Sequence, residues 1–293
     1  MPQEFGGAWT EIKLAAVGGY LQAFNTALKN KPTPKRPFTR LYIDAFAGSG
    51  DRELSELPLF DNDPDINSFA KGSVRIALDC DPAFDGFHLI EKNSKHLADL
   101  KKIAEEYSHR RINIHPGDAN EKLVEICRTW DTRSCRGVLF IDPYGCQVEW
   151  STLEAVAETE SIDVWLLCPV NAIRRMLQGD GQIDPKWRRR LTRFFGTDRW
   201  YEHFYKERKT EADLLEFAGI ELERRVTLEG IESYYRELLQ AIFNGGVSNR
   251  ALRLGPPGRD PLFSLFFACS NPSQTARRVA FNIANHLIRK WDG

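Results

Sequence analysis

The chain carries five short apolar runs, at 40–46, 87–91, 111–115, 137–142 and 162–168, with helix-length segments between them. Strands buried on both faces read as near-continuous apolar stretches, and parallel strands need a long crossover, usually a helix, to join them. The alternation therefore predicts an α/β fold: a mostly parallel sheet with helices on both faces. Sheets of this kind bind ligands beyond the C-terminal ends of their strands. The residues that close each run are the ones to read for chemistry.

The rest of the chain wraps this core. Residues 8–28 place Trp9, Ile12, Leu14, Ala16, Tyr20, Leu21, Phe24 and Leu28 at near-helical intervals, an amphipathic helix weakened by Gly18 and Gly19. The prolines of 31–37 end it. Residues 51–71 are polar and acidic, either a lid or an unstructured loop. Within them Asp61-Asn-Asp63-Pro-Asp65 lacks the glycine and closing glutamate of a calcium loop. Asn93 is placed to cap a helix over 94–107. Past residue 170 the pattern turns helical, and residues 171–199 carry eight Lys and Arg against three Asp, with Trp187, Phe194 and Phe195 among them. One or two helices are expected over 211–243, a last buried strand at 263–269 and a closing helix at 272–291. These readings divide the chain into a leading helix and linker (1–36), a core (37–170), a basic and aromatic helical elaboration (171–260) and a segment completing the core (261–293).

Composition narrows the function classes. A formal net charge of −1 gives no whole-molecule argument for nucleic acid, so any basic contact must be local. No apolar run is long enough to span a bilayer, and the first residues hold Glu4 and Glu11 with no basic region or apolar core of a signal peptide. A cytoplasmic protein without membrane association is expected. Cys80, Cys127, Cys135, Cys146, Cys168 and Cys269 form no Cys-x-x-Cys, so they read as reduced thiols and no metal site is expected.

Four acids stand at or just after run ends: Asp44, Glu91, Asp118 and Asp142. On one sheet these carboxylates gather along one rim. The first belongs to Tyr-Ile-Asp-Ala-Phe-Ala-Gly-Ser-Gly at 42–50, where small residues let a ligand approach the backbone. This is no Walker loop, because no Gly-Lys-Ser/Thr follows, and no full Gly-x-Gly-x-x-Gly, because position 53 is Glu53. A ligand built from ribose and adenine needs acceptors for two hydroxyls and an exocyclic amine. Glu91 suits the hydroxyls, since an ionised carboxylate only accepts and can accept from both. Asp118 suits the amine. Gly48 and Gly50 leave room for an amino-acid tail, whose positive amino group Asp44 can hold directly or through water. Acids at strand ends also cap helices, but four in this order beside a glycine turn favour the ligand reading. A dinucleotide fold shares the glycine turn and the second acid; the third and fourth acids and the incomplete fingerprint argue against it.

On these residues the chain resembles the Rossmann-like class I S-adenosylmethionine methyltransferases: 44–50 looks like their first motif, Glu91 the second, Gly117-Asp118-Ala119 the third and Asp142-Pro143-Tyr144-Gly145 the fourth. More narrowly it resembles the three-Cys-motif partner proteins, through 42–50, Lys71-Gly72-Ser73, His88-Leu-Ile-Glu-Lys92, Phe140-Ile-Asp-Pro-Tyr-Gly145 and Leu262-Phe-Ser-Leu-Phe-Phe-Ala268. The resemblance implies S-adenosyl-L-methionine as cofactor, held by Asp44, Phe46, Gly48, Ser49, Gly50, Glu91, Lys92, Asp118, Ala119 and Asp142. It also implies a separate cysteine-motif protein as partner.

Two departures matter. About forty residues separate Gly50 from Glu91, against about twenty in a dinucleotide fold, so an insertion displaces the first helix. The fourth motif, Asp142-Pro143-Tyr144, keeps the acid and aromatic of base-amine methyltransferases without their second proline. Asp142 is expected to accept a hydrogen bond from the target N–H. Tyr144 either stacks on the base or packs at an ordinary turn. The leading expectation is a methyltransferase acting on a base nitrogen of a nucleic acid, with Asp142, Pro143 and Tyr144 catalytic and Tyr144, Trp187, Arg188 and Arg189 binding substrate. The alternatives are a small-molecule or protein methyltransferase, or a catalytically idle module that binds a partner.

Overall fold

The computed structural model describes residues 8–48, 72–177, 181–208, 221–224 and 226–291, together with Gly179. The loop expected at 51–71 lies outside the described residues, as do Ser49 and Gly50. The chain opens with α1 (Ala8–Leu28) and a small hairpin of β1 (Pro32–Thr33) and β2 (Arg36–Pro37). The alternating part follows: β3 (Thr39–Asp44), α2 (Ser73–Leu78), β4 (Gly86–Glu91), α3 (Ser94–Glu106), β5 (Ile112–Pro116), α4 (Ala119–Arg128), β6 (Cys135–Ile141), α5 (Trp150–Ala157) and β7 (Ile162–Cys168). Then come α6 (Val170–Met176), α7 (Pro185–Phe195), α8 (Trp200–Phe204), β8 (Tyr205–Arg208), β9 (Glu221–Arg224), α9 (Leu228–Ile242), β10 (Gly246–Val247), β11 (Leu252–Leu254), β12 (Phe263–Cys269) and α10 (Gln274–Trp291).

The main sheet runs β10-β12-β7-β6-β3-β4-β5, with β11 also paired to β12. Strands β3 to β7 are mutually parallel, whereas β12 runs antiparallel to β7. Counted along the chain, the parallel part has the order 3-2-1-4-5 of a doubly wound sheet. The last long strand then reverses and inserts beside the fifth, leaving two-residue β10 on its outer side. This is the Rossmann-like class I methyltransferase arrangement. Chain order switches direction at β3, so the crevice above β3 and β6 is where such a sheet places its ligand.

Both faces are covered, and β7 and β12 are buried along their whole length. One apolar cluster joins the sheet to α4, α5, α6, α7 and α9. The other joins it to α1, α2, α3 and α10. Among the described residues no helix is long and apolar enough to cross a membrane.

Three expectations need correction. Residues 221–224 form a strand paired with 205–208, not a helix, so the helix in that stretch is α9 alone among the described residues. Strands β10 and β11 belong to the main sheet, so a boundary at residue 260 would cut the β11–β12 hairpin. The buried face of α1 is wider than expected: Lys13 and Val17 join Trp9, Ala16, Tyr20, Leu21 and Phe24 in it, and Ile12, Leu14 and Leu28 are half-buried. Gly18 and Gly19 serve close packing: a Cβ at either would come within 2.9 Å of Ile76 in α2 or Leu287 in α10.

The phenol of Tyr20 donates to Asp163 of β7 at 2.6 Å, and both groups are buried. Burial pushes the Asp163 carboxyl up while the Tyr20 hydrogen bond pulls it down. Tyr20→Phe deletes that donor without changing the volume. It should cost about 1.5–3 kcal/mol, the range for hydrogen bonds to charged groups, read as a lower urea midpoint with an unchanged slope.

Candidate functional site

A cleft of about 1110 Å³ opens at the C-terminal ends of β3, β4, β5 and β6, with α7 as one wall. Ala45, Phe46 and Gly48 follow β3; Glu91 and Lys92 close β4; Gly117, Asp118 and Ala119 follow β5; Tyr144, Cys146 and Gln147 follow β6; all of them line it. Of the residues expected to hold a cofactor, Phe46, Gly48, Glu91, Lys92, Asp118 and Ala119 thus meet in one cavity.

Glu91 is the most constrained. Its Oε2 accepts from Gly48 N at 2.7 Å, and its Oε1 accepts from Lys92 N at 2.8 Å and Asn93 N at 2.6 Å. Ala47 N also donates to the Ile90 carbonyl at 3.0 Å, so the turn after β3 is tied to the end of β4 twice. A carboxylate has about four acceptor sites. Three are filled, which leaves capacity for one ribose hydroxyl rather than the two expected. Burial raises the Glu91 pKa, opposed by these backbone hydrogen bonds.

Gly48 has a different reason from the one expected. A Cβ there would lie 2.8 Å from His96 Cβ and 3.1 Å from Glu91 Oε2. The missing side chain admits Glu91 and His96, and Gly48 still lines the cleft. His96 itself lines the cleft, with Nδ1 buried, 3.9 Å from Glu91 Oε2, and without a hydrogen-bond partner among the described residues.

Asp118 caps α4 by accepting from Asn120 N at 2.9 Å, and its second oxygen lies 3.7 Å from Lys92 Nζ. Asn120 then holds the far wall: its Nδ2 donates to the Gln147 carbonyl, and its Oδ1 accepts from Glu149 N and the Thr152 hydroxyl, at 2.9–3.0 Å. Gln147 Oε1 accepts from Tyr144 N at 3.0 Å. The turn carrying Tyr144 is therefore fixed to the start of α4.

Asp44 and Asp142 do not line the cleft. Asp142 pairs with Lys13 Nζ of α1 at 2.5 Å, and both side chains are buried. Burial lowers the Lys13 pKa and raises that of Asp142, each partly offset by the partner's charge. Asp44 accepts from the hydroxyls of Tyr42 at 3.0 Å and Ser73 at 2.8 Å and from Phe46 N at 3.2 Å. Both carboxylates sit beneath the cleft floor, where Asp142 meets a lysine in place of a target amine. Pro143 is buried and is not among the lining residues. The sequence reading missed Lys13; the local hint was a charged residue in the apolar stripe of α1, four positions after Trp9 and three before Ala16.

On α7 the expected trio divides. Arg189 lines the cleft. The guanidinium of Arg188 stacks over Tyr201 at 4.6 Å, and Trp187 packs partly buried against the core. Lys186, Arg190 and Arg193 complete the cleft face. Reading 187–189 as consecutive missed this, whereas the period of the helix puts 186, 189, 190 and 193 on one side.

No protein-family model matches the chain, and no curated protein does. Among solved structures it is similar to a protein of Legionella pneumophila, LPL1258, at 13% identity over 97% of this chain and 93% of that one, with a TM-score of 0.48. It is also similar to the N-terminal domain of EvdMO1, solved in the presence of SAH and D-fucose, at 9% identity over 86% and 81%, with a TM-score of 0.37. A third is the putative methyltransferase yhhF of Escherichia coli, at 12% over 71% and 86%, with a TM-score of 0.28. These superpositions are loose, and the fold assignment rests on the order and direction of this chain's own strands.

Burial, opposed by the Ser73 and Tyr42 hydrogen bonds, pushes Asp44 from its ordinary 3.8 up to about 6. The folded chain holds this proton more tightly than the unfolded one, so ionisation lowers stability as pH rises from about 4 to about 6, and the loss stays constant above. Asp44→Asn should therefore stabilise the protein at pH 7.5 by on the order of 1–3 kcal/mol, with the gain shrinking toward pH 4.5. Thermal melts of both proteins across that range test the sign.

Proposed function

We propose that the protein is an S-adenosyl-L-methionine-dependent methyltransferase whose acceptor is a base nitrogen of a nucleic acid. The observation that carries the cofactor is the pairing of Glu91 and Asp118 on adjacent strand ends, both opening into the cleft at the point where chain order reverses. Glu91 is held rigidly by backbone donors and keeps one acceptor site for a ribose hydroxyl. Asp118 offers an acceptor to the adenine amine. The Phe46–Gly48 turn lies where the methionine end would run. The bound cofactor supplies a sulfonium methyl to a nucleophile aligned with it.

Methyl transfer asks a protein mainly for alignment and exclusion of water. Tyr144, pinned through Gln147 and Asn120, offers a ring on which a base can stack. The cations of α7 favour an anionic acceptor. The Lys13–Asp142 pair favours a second reading: the carboxylate that would hold a target amine is already occupied. That fits a module idle until a partner displaces α1.

Asp118→Asn separates the cofactor contact from stability, because Asn caps helices as well as Asp. It should leave the melting temperature unchanged and weaken S-adenosylhomocysteine by about tenfold, the loss of a hydrogen bond of ~1.4 kcal/mol. The inosine analogue, which presents an acceptor where adenine presents an amine, should gain relative to the adenosine compound. Calorimetric titration checks both. Unchanged affinity and unchanged base preference would remove Asp118 from the site.

A further inference from the structure

We infer that the inner face of α7 is a phosphate-binding ladder for a single-stranded nucleic acid, with Lys186, Arg189, Arg190 and Arg193 as its rungs. The inference rests on the nucleic-acid acceptor proposed above and assigns the part of the cleft that holds the strand.

The four residues fall at positions i, i+3, i+4 and i+7 of one helix, and all four line the cleft. They extend over about 10 Å of helix axis, so they form a row. Arg190 Nη1 is buried against the cleft wall with no hydrogen-bond partner among the described residues. A buried guanidinium N–H without an acceptor is costly. Nη1 has no accessible surface as it stands, so a phosphate oxygen, the acceptor whose charge and geometry suit it, is met by a turn of the Arg190 side chain into the cleft. Arg193 has a counter-charge in Glu149 at 3.5 Å, but both side chains are exposed, so the pair is weak and exchangeable. Lys92 and Lys95 line the same cleft from the β4 side, giving six Lys and Arg against Glu91, Asp118, Glu121 and Glu149. The net charge of the whole chain is −1, so this excess of cations is local to the cleft.

A row of cations suits a repeating polyanion better than one small anion. Tyr144 lies in the same cavity, and its ring can stack only on a base that is unpaired. Row and ring together select a single strand: phosphates along α7, one base turned in toward Tyr144 and the cofactor site. Arg188 is the internal control, since it points away from the cleft and stacks on Tyr201.

The test is fluorescence anisotropy with a short labelled single strand of mixed sequence, as RNA and as DNA, over a range of salt concentrations. The full chain is used, with S-adenosylhomocysteine affinity measured by calorimetry on the same preparations. The double variant Arg189→Gln, Arg193→Gln should bind at least tenfold more weakly at low salt. Its log–log salt slope should fall by about 0.7 per charge removed, as expected for single strands. Lys186→Gln should behave as a milder version of the same change. Arg188→Gln should bind like the parent, and melting temperatures identify any variant that is simply unfolded. Equal strand binding by parent and double variant would overturn the inference, as would a duplex or a polyglutamate chain binding as tightly as the single strand. Cofactor binding with no strand binding overturns this inference and leaves the cofactor reading standing. Strand binding along α7 without cofactor binding does the reverse.

Discussion

A single buried ammonium sets the geometry beneath the cleft. Lys13 has no exposed surface, and the Asp142 carboxylate at 2.5 Å, with the Asp44 charge also within reach, favours its charged form there. Removing one partner from such a pair strands the other, at about 3–5 kcal/mol. The leading helix can therefore dock only in the register that brings Lys13 over the end of β6. Tyr20, two turns further along the same helix, fastens to Asp163 on β7. The two polar contacts act with the apolar packing of Trp9, Val17, Leu21 and Phe24 to fix α1 against the sheet.

Above this layer the cleft is built by hydrogen bonds between loops and strand ends. Glu91 ties the turn after β3 to the end of β4, and Gly48 lacks a side chain so that this carboxylate can reach the backbone. Asn120 ties the start of α4 to the turn after β6. Four strand-end segments are thus tied in two pairs, and Gly117 N, donating to the Glu91 carbonyl at 2.9 Å, joins the pairs into one wall. Preorganised polar groups lose little entropy on binding, and alignment is what the proposed methyl transfer requires. The strand-end acids divide: Asp142 pairs with Lys13 and Asp44 accepts from Tyr42 and Ser73, while Glu91 and Asp118 face the cavity.

Much of this was legible in the residues. The apolar runs marked β3 to β7 and β12, and of the four acids that follow them Glu91 and Asp118 line the cleft whereas Asp44 and Asp142 do not. The cap at Asn93 is present, accepting from Lys95 N at 2.9 Å. What was not legible depends on long-range pairing. A lysine reads as solvent-facing until its partner 129 residues away is known. Strands as short as β10 and β11 have too few residues for a period of two to show. The pair β8 and β9, Tyr-Lys-Glu-Arg and Glu-Leu-Glu-Arg, is mostly charged, with no apolar alternation to tell a strand from an exposed helix. Gly48 was marked for ligand access alone; a neighbour that needs the space, His96, comes from α3 and no local motif points to it. On α7 the composition was right and the phase was wrong.

The most direct measurement is a crystal structure of the protein with S-adenosylhomocysteine. The account predicts a ribose hydroxyl within hydrogen-bonding distance of Glu91, the adenine amine on Asp118 and the homocysteine end along the Phe46–Gly48 turn. The Lys13–Asp142 pair should remain intact beneath them. A ligand bound elsewhere, or one whose ribose has no contact with Glu91, would contradict it.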